Sequence, residues 1–428
     1  MLTFSPETLK NSIINAINVL SFLRGDIEEI DFDDFLKLDV TEYDDVEINE
    51  HSLVCLYVGE CDYPMISVGQ FINYAQNKSR ININEAQSYA KSDHEVFFLI
   101  NIFDSDTYEV LGNSFKGRDI FSKRKNTPAS VLEKEITVDG VTYYASLYNG
   151  FSFFHLLVEE SGNYDEYFPS YSPDDYFVHI KCDQSHIDMG VADALATAYA
   201  FELQASFEVR IPFSTGRIET NVSDRSDETL YGLETQMFPL IHGAGAADLL
   251  NLYNTAKNTN DVDFKILGFT KVIEYIAPTI TQKELIDTVS LKLTSLNVFK
   301  PTATFIFELG AIYDKHRNTT TKDSELIKTS ILTAVTLDEI WNVIPDFIKG
   351  KQTGLPDDSE HTVWLTRIAE YIYSTRNEIA HAKANYEKRG TECPGKHKTE
   401  FACLLDVIAV RCIRWFALQP EEKRAVLK

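Results

Sequence analysis

Arg376-Asn377-Glu378-Ile379-Ala380-His381 puts a fixed cation, an amide and a titratable imidazole within one short run near the C-terminal end of the chain. Those groups can bind a phosphate and move a proton without a metal ion. An imidazole with a pKa near about 6.5 gives or takes a proton at neutral pH. A guanidinium holds phosphate oxygens, and the charge that develops on them, with paired hydrogen bonds. Asn377 can orient either partner. Arg317-Asn318 has the same Arg-Asn pair, but no His follows it at a comparable distance.

The residues that follow are basic. Lys383, Lys388, Arg389, Lys396 and Lys398 can grip flanking phosphates, and Tyr373 and Tyr386 can stack a base. Each has a plainer role as well. Arg376 and His381 can complement the dipole at a helix end. Lys383 and Lys388 can form a solvated face, and Tyr373 can belong to the core.

A helix must position this set. Val363, Leu365, Ile368, Ile372 and Ile379 give a helical apolar face over Glu360–Asn385, before the Gly390 and Pro394 loop. On such a helix Asn377 and His381, four apart, share a face. Arg376 lies about 140° from His381 at roughly 100° per residue. One straight helix therefore does not stack all three groups. A bend at its end, or a second copy across a two-fold axis, brings the cations together.

Helical patterns also cover Ala246–Lys257, Asp261–Ile276, Thr281–Thr294, Lys322–Val335, Leu337–Ile348 and Thr399–Ala417, with Pro345 expected to kink or shorten the fifth of these. Before them the pattern is mixed. A helix capped by Ser5 carries Leu9, Ile13, Ala16, Ile17, Leu20 and Leu23 on one face and ends at Gly25. Strands are expected at Ser52–Val58, Glu95–Phe103, Glu135–Val138, Val141–Tyr148, Tyr176–Cys182 and Glu208–Phe213, with a hairpin turn at Asp139-Gly140 and an Ala-rich helix over Val191–Ser206. The polar stretch Ser214–Glu228 separates the two halves. These patterns imply an α+β N-terminal domain, residues 1–215, followed by an all-α bundle, residues 216–428.

Composition narrows the classes. The 428 residues are 44% hydrophobic with 27 Phe and 21 Tyr, enough for packed cores and too apolar for disorder. No apolar run is long enough to span a bilayer, and the N-terminus lacks the basic-then-apolar pattern of a signal peptide. Six Cys without regular spacing fit a reducing, cytoplasmic setting. The formal charge of −25 argues against a general nucleic-acid coat. That charge is uneven: residues 26–50 hold twelve acids and only Lys37. From Arg376 onward, eleven Lys and Arg face seven Asp and Glu, which leaves −29 on the residues before. A basic patch on an acidic body suits a selective RNA substrate.

Rival chemistry is thin. Cys182/His186 and Cys393/His397 share a C-x-x-x-H spacing but lie in different halves and lack a fourth ligand, so no metal is expected. The acidic stretch lacks EF-hand spacing. The chain has no P-loop, nucleophile elbow or dinucleotide fingerprint.

An Arg, a polar neighbour, and a His after a gap of four to six residues resemble the signature of HEPN domains, many of which are RNases of toxin and phage-defence systems. Leu249–Asn254, with Tyr253, followed by Asp263–Tyr275, with Glu274, is similar to the early helices of large HEPN proteins, in which a Tyr-containing helix precedes one ending near a Glu. The first 213 residues carry no such resemblance. The resemblance implies an HEPN-like bundle and a metal-independent, cofactor-free endoribonuclease that leaves a 2′,3′-cyclic phosphate and a 5′-hydroxyl. His381 would be the general acid/base, Arg376 would hold the phosphate and Asn377 would orient, with Lys383, Tyr386, Lys388 and Arg389 contacting RNA. It further implies a homodimer joined through the motif helices. The target would be tRNA or mRNA in abortive infection, under a phage-derived trigger or an antitoxin, with the N-terminal domain sensing or regulating. The same fold without activity, as an RNA-binding or protein-interaction module, is the alternative.

Overall fold

The computed structural model describes residues 2–24, 46–56, 64–102, 104–115, 129–162, 164, 170–172, 175–215, 237–320, 322–381 and 388–425. Most of the acidic stretch 26–50, most of the polar stretch 214–228, and both Lys383 and Tyr386 lie outside them. The chain divides into two compact units, Met1–Leu240 and Ile241–Lys428. The first is α+β and the second all-helical. The division falls later than the expected 215/216, and residue 237 shows why: Lys134 Nζ donates to the Met237 carbonyl at 2.8 Å, which ties that segment to the first unit.

In the first unit, β1 (Leu2–Phe4) pairs in parallel with β2 (Val46–Ile48). Ser5 does not cap the first helix. Its N–H continues the pairing to Ile48 O at 2.8 Å, and α1 (Leu9–Val19) starts after Thr8. The predicted face of Leu9, Ile13, Ala16 and Ile17 is buried. A small antiparallel pair, β3 (Leu53–Cys55) and β4 (Met65–Ser67), leads into α2 (Val68–Asn77) through a Ser67/Gln70 capping box.

The main sheet runs β5 (Asn82–Ile83), β6 (Tyr89–Lys91), β7 (Glu95–Ile100), β10 (Tyr176–Cys182), β9 (Val141–Asn149), β8 (Ala129–Val138), antiparallel throughout. β8 and β9 meet at Asp139-Gly140, whose φ values of 50° and 81° are the doubly positive pair that a two-residue hairpin needs. Between β7 and β8 comes α3 (Ser105–Phe115), and between β9 and β10 comes α4 (Phe153–Ser161). Phe97, Leu99, Tyr148 and Phe177 on one sheet face join the cluster of α1, α2 and α4. The alternate residues Val96, Phe98, Val178 and Ile180 are buried too, so the sheet is covered on both faces. α5 (Met189–Phe207) lies against β9 and β10 and is buried nearly all round. The predicted strand at Glu208–Phe213 is, among the described residues, a single bridge, Phe213 to Ile100.

The second unit is built on one long helix. α6 (Ala246–Asn258) is followed by α7 (Val262–Leu293), capped by Asp261. α7 joins two segments that the sequence separates at Pro278. The proline lies inside the helix and removes the N–H that would reach the Glu274 carbonyl. α8 (Ala303–Thr320), not predicted from the sequence, turns back along it. Then come α9 (Asp323–Ala334), the short α10 (Leu337–Ile340) and α11 (Asp346–Lys349), α12 (His361–Ala380) and α13 (Lys398–Ala417). Pro345 ends the expected 337–348 helix by splitting it into α10 and α11.

The N-terminal part of α7 is the core of this unit. Ile266, Phe269, Val272, Ile273 and Ile276 are buried where α6, α9, α12 and α13 pack against it. Burial of each such side chain contributes roughly 1.5–3 kcal/mol. A Cβ on Gly268 would stand 2.6 Å from Ala256 Cβ, so glycine permits the close approach of α6 and α7. Tyr253 Oη and Lys257 Nζ of α6 both reach the Asp406 carboxylate of α13, at 2.7 and 2.6 Å.

Candidate active site

The motif forms the last turn of α12. Its helix is anchored by Leu365, Ile368 and Ile372, and Ser374, Thr375 and Asn377 are also buried. His381 is the C-terminal cap: its backbone N–H donates to Asn377 O at 2.9 Å while φ −113° and ψ 36° take it out of helical geometry. Helix α12 thus stops at the imidazole, short of the expected Asn385.

Arg376 is about one-quarter exposed and donates from Nη1 to Asn377 Oδ1 at 3.0 Å. Two carboxylates face it from other helices: Glu274 of α7 with Oε1 3.4 Å from Nε, and Asp323 of α9 with Oδ2 3.9 Å from Nη1. Neither is a close hydrogen bond, and Glu274 Oε1 is buried without a hydrogen-bond partner among the described residues. Burial pushes the Glu274 carboxyl above its ordinary pKa, and the nearby Arg376 charge only partly offsets that rise. The guanidinium is therefore oriented by its bond to Asn377, while its contacts with the two carboxylates are longer than a good hydrogen bond and a phosphate offering short paired bonds can displace them.

His381 is exposed, and among the described residues its ring has no hydrogen-bond or ion-pair partner. The structure joins Arg376 to Asn377 and leaves His381 at the helix end, with no side-chain contact to either.

The segment after the motif is pinned back onto α12. Cys393 N–H donates to Thr375 Oγ1 at 2.8 Å, Ser374 and Thr391 share a hydroxyl contact of 2.8 Å, and the Glu392 carboxylate accepts from the Arg389 and Gly390 N–H groups. Lys388 is tied to Glu378 at 2.9 Å, and that contact raises its pKa. The Arg389 guanidinium lies 5.1 Å from the Tyr373 ring centroid. Beside this pair a cleft of ≈ 260 Å³ opens between α9 and α12, lined among others by Lys328, Glu370, Tyr373, Ser374 and Arg389. Arg376, Asn377 and His381 do not line it.

Asp323, Glu378 and Glu392 carry no functional signal in the sequence: Asp323 and Glu378 act across distances that only folding closes, and Glu392 shapes the local turn at 389–390. Glu274 does stand in the quoted resemblance, although its helix continues to Leu293 rather than ending near it.

A second polar set appears only in the structure. In the first unit, the Ser152 N–H donates to His155 Nδ1 at 2.9 Å and Ser152 Oγ lies 3.3 Å from the same atom, while His155 Nε2 is 3.2 Å from Asp175 Oδ2. The backbone donor makes Nδ1 an acceptor and places the ring proton on Nε2, toward Asp175. Ser152 and His155 are fully buried, and Ser152 caps α4. The set has the residue types of a hydrolytic triad but serves as a capping box with His at its third position. The Cys pairs do not assemble ligands either. Cys182 and Cys393 are buried beside backbone carbonyls, and His397 pairs with Glu400. Among the described residues no three His, Cys, Asp or Glu side chains stand close enough to hold a metal ion, and no helix is long and apolar enough to cross a membrane.

Compared with protein-family models, curated proteins and solved structures, the chain matches none.

Proposed function

We propose that the second unit is an HEPN-type, metal-independent endoribonuclease acting in the cytoplasm, and that its cellular role is antiphage defence by abortive infection with tRNA or mRNA as target. The observation that carries this reading is the end of α12: an exposed imidazole, unengaged among the described residues, one turn past an Arg-Asn pair whose guanidinium meets its two carboxylates only at 3.4 and 3.9 Å. His381 takes the proton of a ribose 2′-hydroxyl as the 2′-oxygen attacks the adjacent phosphorus. The P–O5′ bond breaks, the 5′-oxygen receives a proton, and the products are a 2′,3′-cyclic phosphate and a 5′-hydroxyl. Arg376 stabilises the charge on the phosphorus oxygens, and Asn377 fixes the guanidinium. Arg389, with Tyr373 beneath it, and Lys388 contact RNA on the side of the cleft. Pairing of motif helices from two copies supplies a second His381 as the proton donor. The first unit answers to a phage-derived trigger or an antitoxin.

The test is cleavage of total RNA, with growth of expressing cells, for the wild type and His381→Ala, with and without EDTA. Cutting that survives EDTA, leaves cyclic phosphate ends and is lost in His381→Ala is the expected result. No cutting and no growth defect under any trigger, with the variant indistinguishable from wild type, removes the enzyme reading. The contacts of Arg376 with Glu274 and Asp323 favour a second reading, in which Arg376 clamps α7, α9 and α12 in a non-catalytic RNA- or protein-binding module. RNA retention without cleavage, unchanged in His381→Ala, would favour it.

A further inference from the structure

Past Thr281 helix α7 has no buried residue, and on α8 the buried apolar side chain among the described residues is Phe305. These two stretches and the turn between them form an arm. Half-buried Leu285, Val289, Leu309 and Ile312 mark the seam where its helices meet. The remaining surface is unusually apolar: Leu291, Leu296, Phe299 and Phe307 are 76–84% exposed. Scattered exposed apolar residues are ordinary, but a cluster of them on one element marks a contact surface.

On α8 the exposed cluster has a pattern. Ala303, Ile306, Phe307, Gly310 and Tyr313 recur at i, i+3, i+4, i+7 and i+10, so they form one stripe, with Gly310 at its centre. Glycine inside a helix is destabilising relative to alanine. No close contact among the described residues requires it there, because a Cβ on Gly310 would meet none of their atoms within 4 Å. An open glycine flanked by large apolar side chains fits the close passage of another helix.

We propose that this stripe is a self-association surface whose partner is a second copy of this chain, with α8 crossing α8 at Gly310. Phe307 and Tyr313 stand three residues either side of Gly310. A two-fold axis through it sets Phe307 of one copy against Tyr313 of the other, twice. The exposed large apolar side chains of the whole arm, off the stripe as well as on it, amount to on the order of 1,000 Å² per copy, so a contact of the roughly 800 Å² per partner of a standard interface extends from α8 onto the turn and the end of α7. Charge points the same way. Residues 282–317 carry five Lys and Arg against four Asp and Glu, whereas the chain as a whole carries −25, so two copies meet least repulsion at their arms. Those interspersed carboxylates also make the arm a poor insert for a lipid bilayer. The surface is separate from any pairing of motif helices, and the inference does not depend on the nuclease reading.

Sedimentation velocity on the full chain at micromolar concentration tests it, with wild type, Gly310→Arg and Phe307→Glu compared and folding followed by circular dichroism and thermal midpoint. A wild-type dimer that either variant weakens by about 100-fold or more, with secondary structure and midpoint unchanged, is the expected result. A monomeric wild type overturns the proposal. So does a dimer that both variants leave intact, which would place the contact elsewhere, for example at the motif helices. Unfolding of both variants also overturns it, since it would show that the stripe serves the single chain.

Discussion

Two histidines in this molecule stand in polar settings of similar residue type and opposite physical character. His155, in the first unit, is wholly buried: Nδ1 is taken by the Ser152 N–H and Nε2 faces Asp175. His381, in the second unit, ends a helix in solvent with neither nitrogen engaged among the described residues. The first set has the composition of a catalytic triad and no access for a substrate. The second has unremarkable composition and an exposed ring. Proton transfer needs an open nitrogen at a place a substrate can reach, so access and hydrogen-bond saturation, more than residue type, separate a site from a structural network.

The two histidines should therefore fail in opposite ways. His381→Ala is expected to lower RNA cleavage by about 10²–10⁴-fold and to leave the thermal midpoint nearly unchanged; initial rates on RNA and a melting curve measure both. His155→Ala should reverse the pattern. It empties a buried space, orphans the Ser152 N–H and leaves Asp175 Oδ2 with the Ser172 N–H alone, at about 2–4 kcal/mol of stability, with the cleavage rate per folded molecule unaffected. A His155→Ala protein that melts like wild type would break the comparison.

Arg376→Lys sharpens it further. The charge stays but the planar fork is lost, so the cleavage rate should fall by roughly 10–100-fold while stability, read by urea unfolding, changes little. A large stability loss with little change in rate would instead mark Arg376 as the clamp of three helices.

The smallest effects concern two carboxylates whose pKa values move in opposite directions. Burial raises Glu274 despite Arg376. Its contribution to stability is full below its unfolded pKa and is lost as pH rises through the raised folded value. Glu274→Gln should therefore gain on wild type as pH climbs from acid toward neutral. At Glu95 burial also acts upward, but the His179 hydrogen bond at 2.7 Å and the neighbouring positive charges outweigh it and lower the pKa. That stability is present above the unfolded pKa and is lost as pH falls through the lowered value. Glu95→Gln should lose ground at neutral pH and approach wild type in acid. Thermal midpoints across that range decide both signs.

Wherever local periodicity decides structure, the elements were legible. β10 has the bounds its alternation predicts, the Asp139-Gly140 hairpin forms, and α6, α9 and α13 lie within a residue or so of their patterns. The misses have local causes overridden by packing. Pro278 reads as a stop but lies inside α7, held by the helices around it. α8 shows no single amphipathic period because its apolar residues lie on two faces, one toward α7 and one outward. Ser5 reads as a cap, but strand pairing to Ile48 takes its N–H.

By itself the sequence determined the residue types at 376–381, their place late in a helix, and the α+β-then-helical order, because helix caps, alternation and apolar spacing act over a few residues. Only the tertiary structure decided that Glu274 and Asp323 face Arg376, that the 388–393 segment folds back on α12, that His155 is sealed and His381 open, and that α8 turns an apolar stripe outward. Those outcomes depend on groups far apart in the chain and on which faces the packed helices leave in water, and no local pattern encodes either.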